Sequence, residues 1–328
     1  MKRILPVLLA FALPAAAERT YDKDAQTLTS ADGTNVLNNV YLCANNQKWL
    51  VVGDNGNRSD ITVLDFSDPV ADVWMIRSLA GKNGDSKKDS AFDGCPNLTT
   101  VITGDYPLDL GERAFENCDA LATVNIGKGC TSIGRGTFRN CDGPMVVTFA
   151  EGSAPTSIGQ NAFNNAKGLL RVDLSNCPSF ATLNNGAFTG CSSLKTVIFP
   201  QDCQITSIAE KPFHGCTSLE TLDLSVCTRL ETIATKAFLN NAKLSRVDLP
   251  ASLASLPIQA FDKHLSLAEG TEMLHVWFRS CPIEDAKNNP FAEMFGSTKD
   301  YTVTDADLAN ASVTIHIPRA QATAGTPN

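Results

Sequence analysis

The sequence has no run of six like charges, and it lacks the HExxH, GxSxG, Walker A and GxGxxG patterns of common catalytic and nucleotide-binding sites. Basic residues are also in the minority, with 27 Lys and Arg against 35 Asp and Glu and a formal net charge of −8. Because phosphate binding requires clustered basic side chains, this balance argues against nucleic acid as a partner. The sequence predicts no cofactor, no metal site and no catalytic residue.

Long apolar runs are missing outside the N-terminus. There, Lys2 and Arg3 precede an apolar stretch from Ile4 to Leu13, and small residues lead up to Ala17. About ten apolar residues are too few for a membrane span, which needs roughly 20. These features predict a secretory signal peptide over residues 1–17. They also predict a secreted or cell-surface protein whose mature chain has no membrane span.

Aromatic residues make up only 7% of the chain, but the phenylalanines are ordered. Nine of the 16 recur at steps of 23 to 25 residues, with a last step of 30: Phe92, Phe115, Phe138, Phe163, Phe188, Phe213, Phe238, Phe261 and Phe291. A fixed period between 20 and 50 residues indicates a repeat architecture.

Each repeat contains two kinds of spacing. The spacing of Ile208, Pro212, Phe213 and Cys216 is that of a helical face. In 219–224 the apolar residues approach the every-second-residue spacing of a strand. We therefore predict one short helical turn and one strand per repeat. Neither piece buries its apolar side alone, so stacked repeats should align the strands into a parallel sheet.

Segments such as 157–163 (SIGQNAF) and 186–197 (GAFTGCSSLKTV) resemble the BspA-like class of leucine-rich repeats, and the resemblance is strong over 86–265. Residues 313–318 resemble a closing strand of that class. The resemblance implies an α/β leucine-rich repeat solenoid with a parallel β-sheet on one face and short helical turns on the other. It also implies a surface or secreted binding protein, in several cases an adhesin, with no catalytic motif to carry across.

The repeat divides the chain into five predicted regions. They are a signal peptide (1–17), an N-terminal cap or irregular repeats (18–85), the leucine-rich repeat solenoid (86–278), an irregular C-terminal repeat with a closing strand (279–318) and a polar tail (319–328). Strands are expected at 61–67 and 274–278 as additional rungs of the sheet.

Eleven cysteines would suggest disulfides in an exported protein, but the number is odd. Five of them occupy one column three residues after Phe: Cys95, Cys118, Cys141, Cys191 and Cys216. Side chains of neighbouring rungs would point the same way, so we predict buried free thiols that pack as small core residues. No CxxC pair or accompanying His spacing indicates zinc.

Residues that alternate with the inward Val and Leu should face outward on the sheet. Apolar residues among charged ones on such a face suit binding, although an ordinary solvated face is the alternative. The candidate binding residues are Arg171, Asp173, Ile198, Asp223, Arg246, Asp248 and Trp277. The predicted function is extracellular binding or adhesion to a protein or glycan ligand through this face.

Two other functions fit the same pattern. One is a structural surface component without a specific ligand. The other is a polysaccharide-active β-helix enzyme that uses Asp173, Asp223 and Asp248 with Arg171 and Arg246. Asp173 and Asp223 are two rungs apart, about 10 Å by sheet spacing, which is long for a carboxylate pair. The helical half of each repeat and the Phe column favour the leucine-rich type.

Overall fold

The computed structural model describes backbone and side chains for residues 59, 61–66, 92–105, 110–253 and 260. It describes the backbone alone for the strands at 20–22, 27–29, 36–37, 40–42, 49–52, 75–78, 274–278 and 313–316. The predicted signal peptide and polar tail lie outside the described residues.

The described residues form twenty strands. In chain order these are β1 (Thr20–Asp22), β2 (Thr27–Thr29), β3 (Val36–Leu37), β4 (Val40–Leu42), β5 (Trp49–Val52), β6 (Val63–Phe66), β7 (Met75–Ser78), β8 (Thr100–Thr103), β9 (Thr123–Ile126), β10 (Val146–Phe149), β11 (Ser157–Ile158), β12 (Arg171–Asp173), β13 (Thr182–Leu183), β14 (Thr196–Ile198), β15 (Ser207–Ile208), β16 (Thr221–Asp223), β17 (Thr232–Ile233), β18 (Arg246–Leu249), β19 (Leu274–Phe278) and β20 (Val313–His316).

Parallel strands, one from each repeat, form the main ladder of the solenoid. Six of them stack in the order β14-β12-β10-β9-β8-β6, and four more stack in the order β16-β18-β19-β20. The register matches the sequence repeat, since Val101 lies opposite Val124, which lies opposite Val147. β-Branched residues favour these positions because they pack well on a pleated surface. The strands expected at 61–67 and 274–278 are β6 and β19, and both join these ladders.

A second parallel sheet lies in the part of each repeat that was predicted to be helical. Its four strands follow the order β11-β13-β15-β17, and Ile158 pairs with Leu183 there. Single bridges extend it toward the N-terminus, from Leu110 to Ile133 and from Ile133 to Ile158. The apolar column five residues before each Phe is therefore a line of short strands.

The segments around each Phe are turns, and the described residues contain no α-helix. The predicted helical turns are therefore not confirmed. Two positions in each turn adopt positive φ, as at Lys211 (58°) and Gly215 (75°) on either side of Phe213. An α-helix needs φ near −63° throughout, so these residues interrupt it. Backbone hydrogen bonds run to the next repeat instead, and the Phe213 N–H donates to the Ala237 carbonyl at 3.2 Å.

The Phe column of the sequence is a continuous stack of buried rings. Centroids of successive rings are 5.2 to 6.0 Å apart and their planes differ by 7° to 19°. The rings are those of Phe92, Phe115, Phe138, Phe163, Phe188, Phe213 and Phe238, all fully buried. Stacked aromatic pairs contribute about 0.5–1.5 kcal/mol each beyond the burial of their area. The predicted column is confirmed from Phe92 to Phe238, and its rings belong to a single core cluster. Phe261 and Phe291 lie outside the described residues.

Other strands form two smaller sheets near the N-terminus. β1, β2 and β3 pair in antiparallel fashion, while β5 pairs antiparallel with β4 and parallel with β7. These sheets lie within the region predicted as a cap or irregular repeats.

Candidate binding surface

Alternate residues of the main ladders face away from the core. In β12, Arg171 is exposed, Val172 is buried and Asp173 is half-buried, and β16 and β18 show the same alternation. Successive side chains of a strand point to opposite sides, so residues on either side of a buried one share a face. We call the outward residues of β12, β14, β16, β18 and β19 the sheet face.

A charged pair occupies the sheet face on β12. The Arg171 guanidinium donates from Nη2 to Asp173 Oδ2 at 2.7 Å, and the Ser175 N–H donates to Asp173 Oδ1 at 3.1 Å. Partial burial by itself raises the pKa of Asp173, but the hydrogen bonds from Ser175 and Arg171 outweigh it and hold the pKa below its ordinary value. Asp173 is therefore ionised at neutral pH and pairs with a cation on its own strand.

The same arrangement recurs three repeats later on β18. Arg246 binds Asp248 through two hydrogen bonds, Nε to Oδ2 at 2.7 Å and Nη2 to Oδ1 at 2.9 Å. Hydrogen bonding to Asp248 raises the pKa of Arg246 above its ordinary value. A two-point contact of this kind fixes the planes of both groups, so the pair forms a rigid, neutral patch.

The ladder register brings the candidate binding residues together. Ile198 lies opposite Asp173, and Asp248 lies between Asp223 and Trp277 on adjacent strands. Between these two groups, β14 and β16 are in contact. The described side chains of the predicted set therefore all lie on one face. In the backbone register, Trp277 of β19 pairs with Asp248 of β18.

The carboxylates of the sheet face are poorly arranged for acid catalysis. A general acid at neutral pH needs a raised pKa, whereas the pKa of Asp173 is lowered. Asp223 has another role, because its Oδ1 accepts the backbone N–H of Ser225 at 2.9 Å. These contacts orient the side chains of Asp173 and Asp223.

The cysteine column lies in the core, as predicted. All nine described cysteines are free and buried. Four thiols donate to a Phe carbonyl of the preceding rung at 3.0 to 3.1 Å: Cys118, Cys141, Cys191 and Cys216. Burial raises the pKa of Cys141 to about 12, so the thiol stays neutral and unreactive.

The described ranges contain neither a metal-binding cluster nor a membrane-spanning helix. Within the described ranges, no three His, Cys, Asp or Glu side chains are grouped to hold a metal ion. Nor does any helix there have the length and apolar character to cross a membrane.

One group of polar residues was not among the sequence-based candidates. Asp105, Asn125 and Thr148 line a hollow at the ends of β8, β9 and β10. Asn125 and Thr148 each follow a buried Val and lie on the outward side of their strands, but the hollow itself was not predicted. The signal was available in Gly104 and Gly127, which directly follow two consecutive strands.

The sequence matches the family model of the BspA type leucine-rich repeat region, in six copies, over residues 82–177 and 147–268. These matches cover more than half of the 328 residues. The chain belongs to the BspA-type leucine-rich repeat family. Membership indicates a protein-interaction or surface role, and leucine-rich repeat proteins are typically not enzymes. No curated protein sequence matches the chain.

Several solved structures of bacterial proteins are similar to this BspA-type chain. A leucine-rich repeat protein from Bacteroides ovatus is 20% identical with a TM-score of 0.42, over 82% of this chain and 65% of its own. The T. pallidum leucine-rich repeat protein is 18% identical with a TM-score of 0.30, over 66% of this chain and 77% of its own. The pneumococcal vaccine antigen PcpA is 13% identical with a TM-score of 0.37, over 91% of this chain and 100% of its own. The chain thus spans about two thirds of the length of the Bacteroides protein.

Proposed function

We propose that this BspA-type protein is exported and binds a protein partner through its sheet face. The observation that supports the proposal is the ladder register, in which Ile198 pairs with Asp173 and Asp248 pairs with both Asp223 and Trp277. Solenoids use such extended surfaces for binding. Export rests on the predicted signal peptide at residues 1–17.

The composition of the face favours a protein partner over a purely structural role. Half-buried Ile198 lies beside the Arg171–Asp173 pair, and exposed Asp223 lies beside Asp248. An apolar patch within a polar rim is typical of protein interfaces, and Arg is enriched at their energetic centres. Because both arginines are held by carboxylates of their own strands, the partner meets a surface that loses little side-chain entropy on binding.

The test is a binding screen of residues 18–328 against immobilised extracellular matrix proteins. The combined variant Ile198→Ala, Asp223→Asn, Asp248→Asn should lose affinity at least tenfold while its melting temperature stays within a few degrees, because the changed side chains are not in the core. Asp142→Asn is the matched control, since Asp142 pairs with Lys167 at 2.9 Å away from the strands of the sheet face.

Three outcomes would contradict this function. Absence of saturable binding to any matrix protein would favour the structural surface component. Equal affinity of the combined variant and the Asp142 control would move the binding site elsewhere. Loss of viscosity when the protein acts on a uronic-acid polymer would favour the polysaccharide-active enzyme.

A further inference from the structure

A hollow of about 470 Å³ opens where β8, β9 and β10 end. Its floor is formed by small residues that directly follow these strands, namely Gly104, Gly127 and Ala150. Later repeats carry larger residues at the same place: Ser175, Pro200, Ser225 and Pro250. The residues that follow β8, β9 and β10 are therefore smaller than the residues at the same place in the later repeats.

At Gly127 the backbones of two neighbouring rungs lie too close together for a side chain. A Cβ atom on Gly127 would lie 2.3 Å from the carbonyl oxygens of Thr103 and Gly104. Gly127 is held in place by its N–H, which donates to Thr103 Oγ1 at 2.8 Å. Glycine at this position lets β8 and β9 end close together, and the hollow beside their ends is large enough for a small polar ligand.

Hydrogen-bonding groups of both kinds line the hollow. Thr148 Oγ1 donates to Asn125 Oδ1 at 2.7 Å, because an amide oxygen only accepts. The Asn125 amide nitrogen is then available as a donor. Asp105 is oriented through Oδ1 by the Lys128 N–H at 3.2 Å, which leaves its second carboxylate oxygen to accept from a ligand.

The lining also determines which ligands are disfavoured. None of the lining residues is Lys, Arg or His, and Asp105 is an anion, so phosphate, sulfate or uronate groups would be repelled. Half-buried Ile102 and buried Phe149 are among the large apolar side chains of the lining, so a ligand meets both an apolar surface and hydrogen-bonding groups. A neutral ligand rich in hydroxyl groups fits this lining.

We propose that the hollow binds a neutral sugar unit of a glycan. The carboxylate of Asp105 accepts hydrogen bonds from ring hydroxyls, and the Asn125 amide donates to another hydroxyl oxygen of the same ring. The hollow lies on the same sheet as β12 and β14, and Thr148 is one rung from Asp173. Its lining shares no residue with the sheet face, and sugar binding there goes beyond the proposed protein binding. A variant can therefore abolish one activity and leave the other unchanged.

The experiment uses residues 18–328 with immobilised neutral glucan, mannan and galactan oligosaccharides, and compares them with oligogalacturonate and hexalysine. We expect saturable binding to at least one neutral oligosaccharide. Asn125→Ala and Asp105→Ala should each weaken it about tenfold, the effect of losing one to two hydrogen bonds. The matched control is Thr123→Ala, which removes an exposed side chain from β9 outside the hollow and should leave affinity unchanged.

The proposal is overturned if the unaltered protein binds no neutral oligosaccharide saturably, or if the Asn125 and Asp105 variants bind as well as the Thr123 control. Preference for oligogalacturonate or hexalysine would overturn it as well. Near-ultraviolet circular dichroism of each variant confirms that the fold is retained. Matrix-protein binding measured on the same variants separates this site from the sheet face, because only changes at Ile198, Asp223 and Asp248 should affect that binding.

Discussion

At the scale of single residues, the cysteines behave as core residues that also satisfy the backbone. The Cys191 thiol donates to the Phe163 carbonyl at 3.0 Å, and Cys216 does the same to Phe188 at 3.1 Å. Each bond connects one rung to its predecessor. A serine in the same place would bring a more polar hydroxyl into an apolar core, which explains why a thiol suits this column.

These thiols should resist labelling in the native protein. The change is the double variant Cys43→Ser, Cys281→Ser, which leaves only the nine buried thiols. Burial raises the pKa of Cys141 and Cys177 to about 12, so below that pH the folded state holds neutral thiols rather than reactive thiolates. We expect few of the nine to react with a disulfide reagent at pH 8, and all nine to react in guanidinium. Rapid labelling of most thiols in the native protein would disprove their burial.

At the scale of the strand and turn, close contact between repeats depends on positions without a side chain. A Cβ on Gly168 would lie 2.0 Å from the Gly143 carbonyl oxygen, whereas a Cβ on Gly152 would meet nothing within 4 Å. Gly152 needs its freedom only for a φ of 75°. Substitution of Gly168 therefore tests steric contact between repeats, and substitution of Gly152 tests backbone strain alone.

Gly168→Ala should lower the free energy of unfolding by more than about 3 kcal/mol, because a backbone atom has to move. Gly152→Ala, the matched control, should cost only about 1–2 kcal/mol for a left-handed non-glycine residue. Urea denaturation followed by circular dichroism measures both. Similar losses for the two variants would show that repeats are not in close contact at Gly168.

The ladders were predictable from the sequence, but the turns were not. The Phe and Val columns recur at nearly fixed steps along the chain. Stacking the repeats buries equivalent residues next to one another, and this predicts both the Phe stack and the parallel register of the strands. The turns depend on positive φ, and most of these positions are Gly or Asn, which adopt it readily, such as Gly215 and Asn240. At Arg113 and Lys211 the side-chain type gives no such signal. The apolar spacing of the turns resembles that of a helix, but their backbone N–H groups donate hydrogen bonds to the neighbouring repeat.

The candidate surface was predictable only in part. Alternation along the strand correctly placed Arg171, Asp173 and Asp248 outward. The hollow at the ends of β8, β9 and β10 was not predicted. It lies beside the small residues Gly104 and Gly127, whereas apolar periodicity detects only the positions of large side chains.

At the scale of the whole molecule, each repeat interacts with its neighbours through the same set of contacts. The Phe188 N–H donates to the Pro212 carbonyl and the Phe213 N–H to the Ala237 carbonyl. Stability in such a solenoid is approximately a sum over repeats and their interfaces. A repeat is therefore removable as a unit when the register is kept.

Deletion of residues 187–211 removes one 25-residue repeat and joins Gly186 to Pro212. We expect a folded protein with a smaller urea m-value, because less surface is exposed on unfolding. Deletion of 187–198 alone is the control, since it shifts the register and should abolish cooperative unfolding. If the two deletions give the same result, the repeat is not the unit of folding.

The backbone bonds of the turns run from each repeat to the next, and this has a mechanical consequence. A load applied along the stacking direction opens one layer of bonds before it reaches the following layer. Each layer that gives way releases about 85 Å of extended chain for a 25-residue repeat. A solenoid of this kind lengthens in steps and dissipates a pull before its remaining layers part.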